Sequence, residues 1–280
     1  MLITVIHTTR FSYEREVAES VMQARLQPRS DADQRLLRFD LQVLPAARLF
    51  HYDDGFANTV HCFTVPAPHD HLVVTARSRV ETRLINPFEP PAQPPAPDPV
   101  ESWPYLQFDG LVCRTAEVDV LADRFRPSGD DAVLAAVQDV MRYIHDSFEY
   151  QAEVTTVTST VADVLAVRKG VCQDFAHLML AICRGMGVPA RYISGYIYSS
   201  PEHAARGDTA SHAWCEAFIP GYGWRGFDPT NNVLAADSHV KVGQGRSYHD
   251  VPPTRGVYRG QAEERIEVRV ETSAEEAGGR

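Results

Sequence analysis

Seven of the fourteen residues at positions 86–99 are proline, and this run constrains the fold more than any other part of the chain. Proline has no backbone N–H and a fixed φ, so the segment can neither continue a helix nor sit in a central strand. It is predicted to be an extended, polyproline-like linker over residues 86–100, with a folded part on each side.

The two parts carry different patterns. Residues 1–85 hold runs of β-formers at 2–6, 37–43, 59–65 and 72–76. The run at 37–43 alternates apolar and polar residues, the period of a strand with one buried face. His51, Tyr52, Asp53, Asp54 and Gly55 carry a turn signal. A β-rich N-terminal domain, as a small sandwich or barrel, is expected. Residues 101–245 mix helix and strand. Apolar side chains at 133, 134, 137, 140, 141 and 144 follow helical spacing, behind an acidic first turn at Asp130 and Asp131. A short helix is expected at 161–167. A longer one should run from Cys172 to Arg184, closed by Gly185, Gly187 and Pro189. Strands are expected at 190–199, 213–219 and 224–228. In the C-terminal extension, 246–280, residues 263–272 alternate cleanly, with Ile266, Val268 and Val270 on one face. A half-exposed strand of this kind needs a sheet partner, and the N-terminal domain is the expected one. Residues 273–280 are expected to be a disordered tail. The fold class is α+β.

The chemistry is concentrated at three positions. Cys172 follows Gly170 and Val171 at the head of an apolar helix. Free N–H groups at a helix start favour a thiolate and can hold the oxyanion formed when it attacks a carbonyl. His212 opens a strand. Asp228 ends the next one, across a turn at Gly221, Tyr222 and Gly223. A thiol needs a base, and the base needs a third group to orient it. Asp228 is expected to take one ring nitrogen of His212 and leave the other for the thiol. His177, five residues after Cys172 on the same helix, points elsewhere and is expected to hold a loop. Gln173, Tyr150 and Trp214 are candidates for the substrate cleft. Asp174 suits a capping role. Cys183 and Cys215 are expected in the core, and Cys62 and Cys113 lack a supporting context.

The segments GVCQDFAHLMLAICRGMGVPARYISGY and SHAWCEAFIPGYGWRGFDPTNN resemble the core of the transglutaminase-like superfamily. HTTRFSYEREVAESVMQARLQPRS and GRSYHDVPPTRGVYRG are similar to the N-terminal domain and C-terminal extension of its bacterial transglutaminase family proteins. The resemblance implies a papain-like cysteine-enzyme core, here over residues 101–245, with Cys172 as nucleophile, His212 as base and Asp228 as orienting carboxylate. It implies thiol-dependent acyl transfer at amide groups, through a thioester, on a peptide or protein substrate. The acceptor would be a primary amine or water. A cysteine peptidase or amidase of the same fold is the nearest alternative, and a non-catalytic peptide-binding module the alternative of another class.

Other classes fit poorly. A net charge of −10 disfavours nucleic acid and anionic membranes. Residues 1–6 are too short for a signal-peptide apolar region, and the longest apolar run, 178–182, is far short of a bilayer span. A cytoplasmic location is expected. Five irregularly spaced cysteines without a CxxC pair disfavour a disulfide framework or structural zinc. His61, His69, Asp70 and His71 cluster without a complete ligand pattern, and Asp53–Asp54–Gly55 is too short for a calcium loop. No nucleotide-binding glycine loop is present, so neither a cofactor nor a metal is expected.

Overall fold

The computed structural model describes residues 1–93, 95–96, 98–199 and 211–275. The N-terminal part contributes six strands: β1 (Leu2–Val17), β2 (Glu19–Ala24), β3 (Gln34–Leu44), β4 (Phe50–Asp53), β5 (Thr59–Val65) and β6 (His69–Thr82). The central part runs α1 (Pro99–Ser102), α2 (Ala116–Phe125), α3 (Val133–Ser147), β7 (Glu149–Tyr150), α4 (Val161–Val167), β8 (Lys169–Gly170) and α5 (Cys172–Gly185). It continues as β9 (Ala190–Ile197), β10 (His212–Ile219), β11 (Gly223–Asp228), β12 (Val233–Leu234) and β13 (His239–Gly245). Two further strands close the chain, β14 (Thr254–Arg259) and β15 (Glu264–Glu275).

The N-terminal strands form two four-stranded sheets, and each is completed at one edge by a C-terminal strand. Their orders are β15-β1-β6-β3 and β14-β2-β5-β4. Phe11, Leu72 and Val74 of the first sheet pack on Met22, Phe63 and Val65 of the second, which is a small sandwich. β15 pairs antiparallel with β1 from Leu2↔Glu275 to Tyr13↔Glu264. The C-terminal strand therefore returns to the N-terminal domain, as its alternation requires. Residues 273–275, expected to be disordered, belong to this strand, because their backbone groups pair with residues 2–4 of β1. Residues 276–280 of that expected tail lie outside the described residues.

Two local expectations are corrected. β1 is far longer than residues 2–6: its buried face continues through His7 and Thr9, two polar residues that interrupt the apolar pattern and satisfy each other at 2.9 Å. The turn expected at 51–55 starts later. His51–Asp53 are strand, and Asp54 makes the turn by accepting the N–H groups of Phe56 and Asn58, each at 3.0 Å. The described part of the proline run lies against the central sheet, where Arg225 Nε donates to the Pro87 carbonyl at 2.9 Å. Pro94 and Pro97 fall outside the described residues.

The central sheet has the order β12-β11-β10-β9-β13, all antiparallel. α5 packs on β10 and β9. Its side chains from Asp174 to Arg184 are all buried, and α2, α3 and α4 surround it. This helix is hydrophobic on nearly every side because every side is covered. Among the described residues, no helix is long and apolar enough to cross a membrane.

A buried ion-pair network fastens the two parts. Lys241 Nζ lies 2.7 Å from Glu216 of the central sheet and 2.9 Å from Asp31 of the N-terminal part. Arg191 also pairs with Glu216. Glu216→Ala leaves Lys241 and Arg191 short of countercharge, and removing one partner of such a pair costs about 3 kcal/mol or more. Urea unfolding should show that loss. A change below about 1 kcal/mol would mean that Asp31 alone satisfies Lys241.

Candidate active site

The site is built where the N-terminus of α5 meets the start of β10. Cys172 is the first residue of α5 and is half-buried. The loop before it is held by Asp174, whose Oδ2 accepts the Val171 N–H at 2.8 Å and the Thr155 hydroxyl at 2.6 Å. Gly170 makes this approach feasible, since a Cβ there would sit 2.6 Å from the same oxygen. Asp174 thus caps the helix and fixes the backbone just before Cys172. It leaves the helix-start N–H groups near Cys172 available to an incoming carbonyl oxygen.

His212 is fully buried, and its Nε2 lies 2.8 Å from Asp228 Oδ2. Strand register explains the meeting. Cys215 pairs with Phe227, so Asp228 lies diagonally across from His212 at the open end of the hairpin. The carboxylate is held on both oxygens. Oδ1 accepts the N–H groups of Thr230 at 2.9 Å and Asn231 at 3.2 Å. Oδ2 also accepts Asn231 Nδ2 at 2.8 Å. His212 Nδ1 has no hydrogen-bond partner among the described residues, and Cys172 lies close enough to the ring to raise its pKa. Burial disfavours the charged imidazole, but Asp228 outweighs it, Cys172 adds to the effect, and the His212 pKa is pushed up to about 10. Burial works equally against the Asp228 carboxylate, yet His212 and His239 hold it well below the usual carboxylate range. The arrangement puts an imidazole that holds its proton firmly between a carboxylate and the Cys172 sulfur.

His239 is a member of this constellation that no sequence motif marks. It begins β13, is buried, and places Nε2 3.5 Å from the same Asp228 oxygen. Ser238 Oγ lies 3.1 Å from its Nδ1, and the Trp214 ring packs edge-on against it at 5.1 Å. His212, Asp228 and His239 bring three potential ligand atoms within 4.8 Å of one another. Asp228 Oδ2 is already engaged by His212 and Asn231, and His239 Nε2 stands near it without a hydrogen-bond partner among the described residues.

The remaining candidates separate clearly. Tyr150 and Gln173 line a cleft of about 600 Å³ together with Cys172, His212, Tyr192 and Tyr248. Gln173 Nε2 also donates to the Val157 carbonyl at 3.3 Å. Trp214 is not in this cleft. It is buried behind His212, with ring centroids 6.2 Å apart, and it fits there because Gly195 offers no Cβ to its ring. His177 is buried and accepts the Tyr248 N–H at 3.1 Å. Burial lowers its pKa to about 3, which keeps it a neutral acceptor that anchors one wall of the cleft. Cys183 and Cys215 are buried side by side in the core. The N-terminal histidines go to separate partners: His69 to Ser20 and Ala67, His71 to Asp70, and His61 against the Phe39 ring.

The comparisons with known proteins agree with this architecture. A family model described as the transglutaminase-like superfamily matches residues 120–229, and one described as a bacterial transglutaminase-like N-terminal region matches residues 3–81. An uncharacterized protein of Mycobacterium leprae is 35% identical over 281 residues, covering 95% of this chain and 96% of its own. This chain belongs to the transglutaminase-like superfamily. The protein-glutamine gamma-glutamyltransferase of Pseudomonas aeruginosa is 26% identical over 208 residues, which span 70% of this chain but 30% of that enzyme. A solved structure from Cytophaga hutchinsonii, provisionally described as a cysteine protease, superposes with a TM-score of 0.76 at 21% identity. The match covers 99% of this chain and 92% of that one. The transglutaminase-like core thus has the papain-like arrangement, a helix carrying the cysteine at its start and packed on an antiparallel sheet, with the β-rich domain in front.

Proposed function

We propose that the chain is a thiol-dependent acyltransferase acting on amide groups, with Cys172 as nucleophile, His212 as acid and base, and Asp228 as the group that orients His212. The observation that carries this reading is the buried pair of Asp228 and His212 at 2.8 Å, with His212 and Cys172 lining one open cleft. The Cys172 thiol passes its proton to His212, the thiolate adds to the amide carbonyl, and the N–H groups at the start of α5 receive the oxyanion. Collapse of that adduct breaks the C–N bond. The proton on His212 goes to the leaving nitrogen, and a thioester remains on Cys172. A primary amine or water then attacks the thioester, His212 takes the proton, and the Cys172 thiolate leaves. The triad serves either acceptor, so transamidation and hydrolysis share all but the last step.

Mass spectrometry of a glutamine-peptide library, incubated with and without a primary amine, tests the reading. Amine-dependent mass gain indicates transfer, whereas deamidation or cleavage indicates hydrolysis. A library left unchanged in both arms would contradict either form of acyl transfer and leave a cleft that only binds.

Within the triad His239 comes nearest to Asp228 and would act through it, as a positioning residue. His239→Ala removes a polar group 3.5 Å from the Asp228 carboxylate and should lower kcat by roughly tenfold, about 1.4 kcal/mol, with KM little changed. His239→Gln, which keeps an N–H donor, should recover part of the loss. Equal losses in the two variants would reduce His239 to packing.

A further inference from the structure

Alternation along β15 puts Ile266, Val268 and Val270 on one face of the strand, yet only Val270 is buried. It is 5% exposed and packs with Ile3, Val5 and Tyr196 where the two parts of the molecule meet. Val268 is 45% exposed and Ile266 52%, and both line the same cleft as Cys172 and His212. The sheet face that joins the domains therefore separates from the central core after Val270 and becomes one wall of the candidate active site. We propose that Ile266 and Val268 form an apolar subsite that receives an aliphatic or aromatic side chain next to the reacting residue of the acyl donor. This rests on the acyl-transfer reading above and narrows its substrate class.

The chemistry of the wall selects that occupant. On the neighbouring strand β1, Thr9 stands beside Val268 and His7 beside Val270, and both also line the cleft. His7 Nε2 is bonded to Thr9 Oγ1 at 2.9 Å, and its Nδ1 to the Tyr196 hydroxyl at 3.0 Å. Its polar atoms are thereby engaged within the protein, and burial keeps the ring neutral, with a pKa near 4. The charges of β15 go elsewhere. Arg265 pairs with Glu267 at 3.1 Å and Arg269 with Glu271 at 2.9 Å, all on the face opposite Ile266 and Val268. A charged side chain entering this part of the cleft would lose water and find no countercharge from the wall. An apolar one would cover two half-exposed aliphatic residues. The subsite also explains why the returning strand matters to the site: β15 both completes the N-terminal sheet and supplies the wall.

The test uses the full chain and glutamine pentapeptides that vary the residues flanking the glutamine, read by mass for amine incorporation, deamidation or cleavage. Wild type should favour leucine, isoleucine, valine or phenylalanine over aspartate or lysine at one flanking position, by roughly tenfold to a hundredfold in kcat/KM. Val268→Lys and Ile266→Lys replace exposed residues, and circular dichroism should show the wild-type fold. At the same flanking position they should lose the apolar preference and shift toward aspartate and glutamate. A wild type that turns peptides over without an apolar preference, or variants whose ranking matches wild type, would overturn the subsite and leave the acyl-transfer reading intact. A wild type that transforms no peptide, and acquires no acyl group on Cys172, would overturn both.

Discussion

Cys172→Ala should abolish turnover and leave the fold in place. The substitution removes one sulfur atom from a half-buried position at the first turn of α5. The groups that hold that turn, Asp174 with Val171 and Thr155, are untouched, and alanine is a good helix residue. The thermal midpoint should therefore move by no more than about 3 °C. The proposed reaction carries the acyl group on the Cys172 sulfur, which alanine cannot replace. Loss of a covalent nucleophile in a comparable triad lowers kcat by roughly 10⁶-fold, and a drop of that order is expected. Retained turnover on a verified substrate would remove Cys172 from the chemistry.

Asp228→Asn is the second large effect, and it adds a signature in pH. Asparagine keeps the shape and loses the charge that holds the imidazolium. Turnover should fall by roughly 10⁴-fold with substrate binding much less affected, as when the equivalent carboxylate of a serine protease is neutralised. In the wild type the His212 pKa is pushed up to about 10. The protonated ring is thus present through neutral and mildly alkaline pH and is lost only as pH rises through about 10. The alkaline limb of kcat/KM should lie there. In Asp228→Asn it should move down toward the ordinary imidazole value of 6.5. Stability follows the same sign: the His212 contribution is full below that ordinary value and disappears as pH climbs through the raised one. A wild-type rate in Asp228→Asn, or an unmoved alkaline limb, would break the link from Asp228 to His212.

The three positions at the centre of the site were legible because each stands in a strong local pattern. A glycine and a helix start precede Cys172, a strand begins at His212, and a tight turn brings Asp228 back. Hairpin geometry then does the rest. Trp214 was misplaced because alternation assigns it to the His212 face but cannot say whether that face is open there. It is closed by His239 and by the ring's own fit against Gly195. His239 itself was not legible. It opens β13, a strand whose buried Lys241 reads as polar until Glu216 and Asp31 are seen around it. The same cause hid most of β1, where buried His7 and Thr9 satisfy each other and break the apolar period. β14 escaped because its side chains are mostly exposed, Val257 included, and show no apolar alternation, so its assignment rests on pairing with β2. Periodicity reveals faces buried in apolar surroundings. It is blind to buried polar groups whose partners lie far along the chain. The Ile266–Val268 wall shows the converse: an apolar face that alternation marks for burial stands open at the cleft.

The most direct measurement of the central claim is peptide mapping of the full chain quenched in acid during turnover of a glutamine peptide. The triad predicts a mass increase equal to the acyl group on the peptide containing Cys172, removed by hydroxylamine as a thioester is, and missing in Cys172→Ala. An acyl group carried instead by Cys62 or Cys113, or turnover of the peptide with no acyl group on any cysteine, would contradict it.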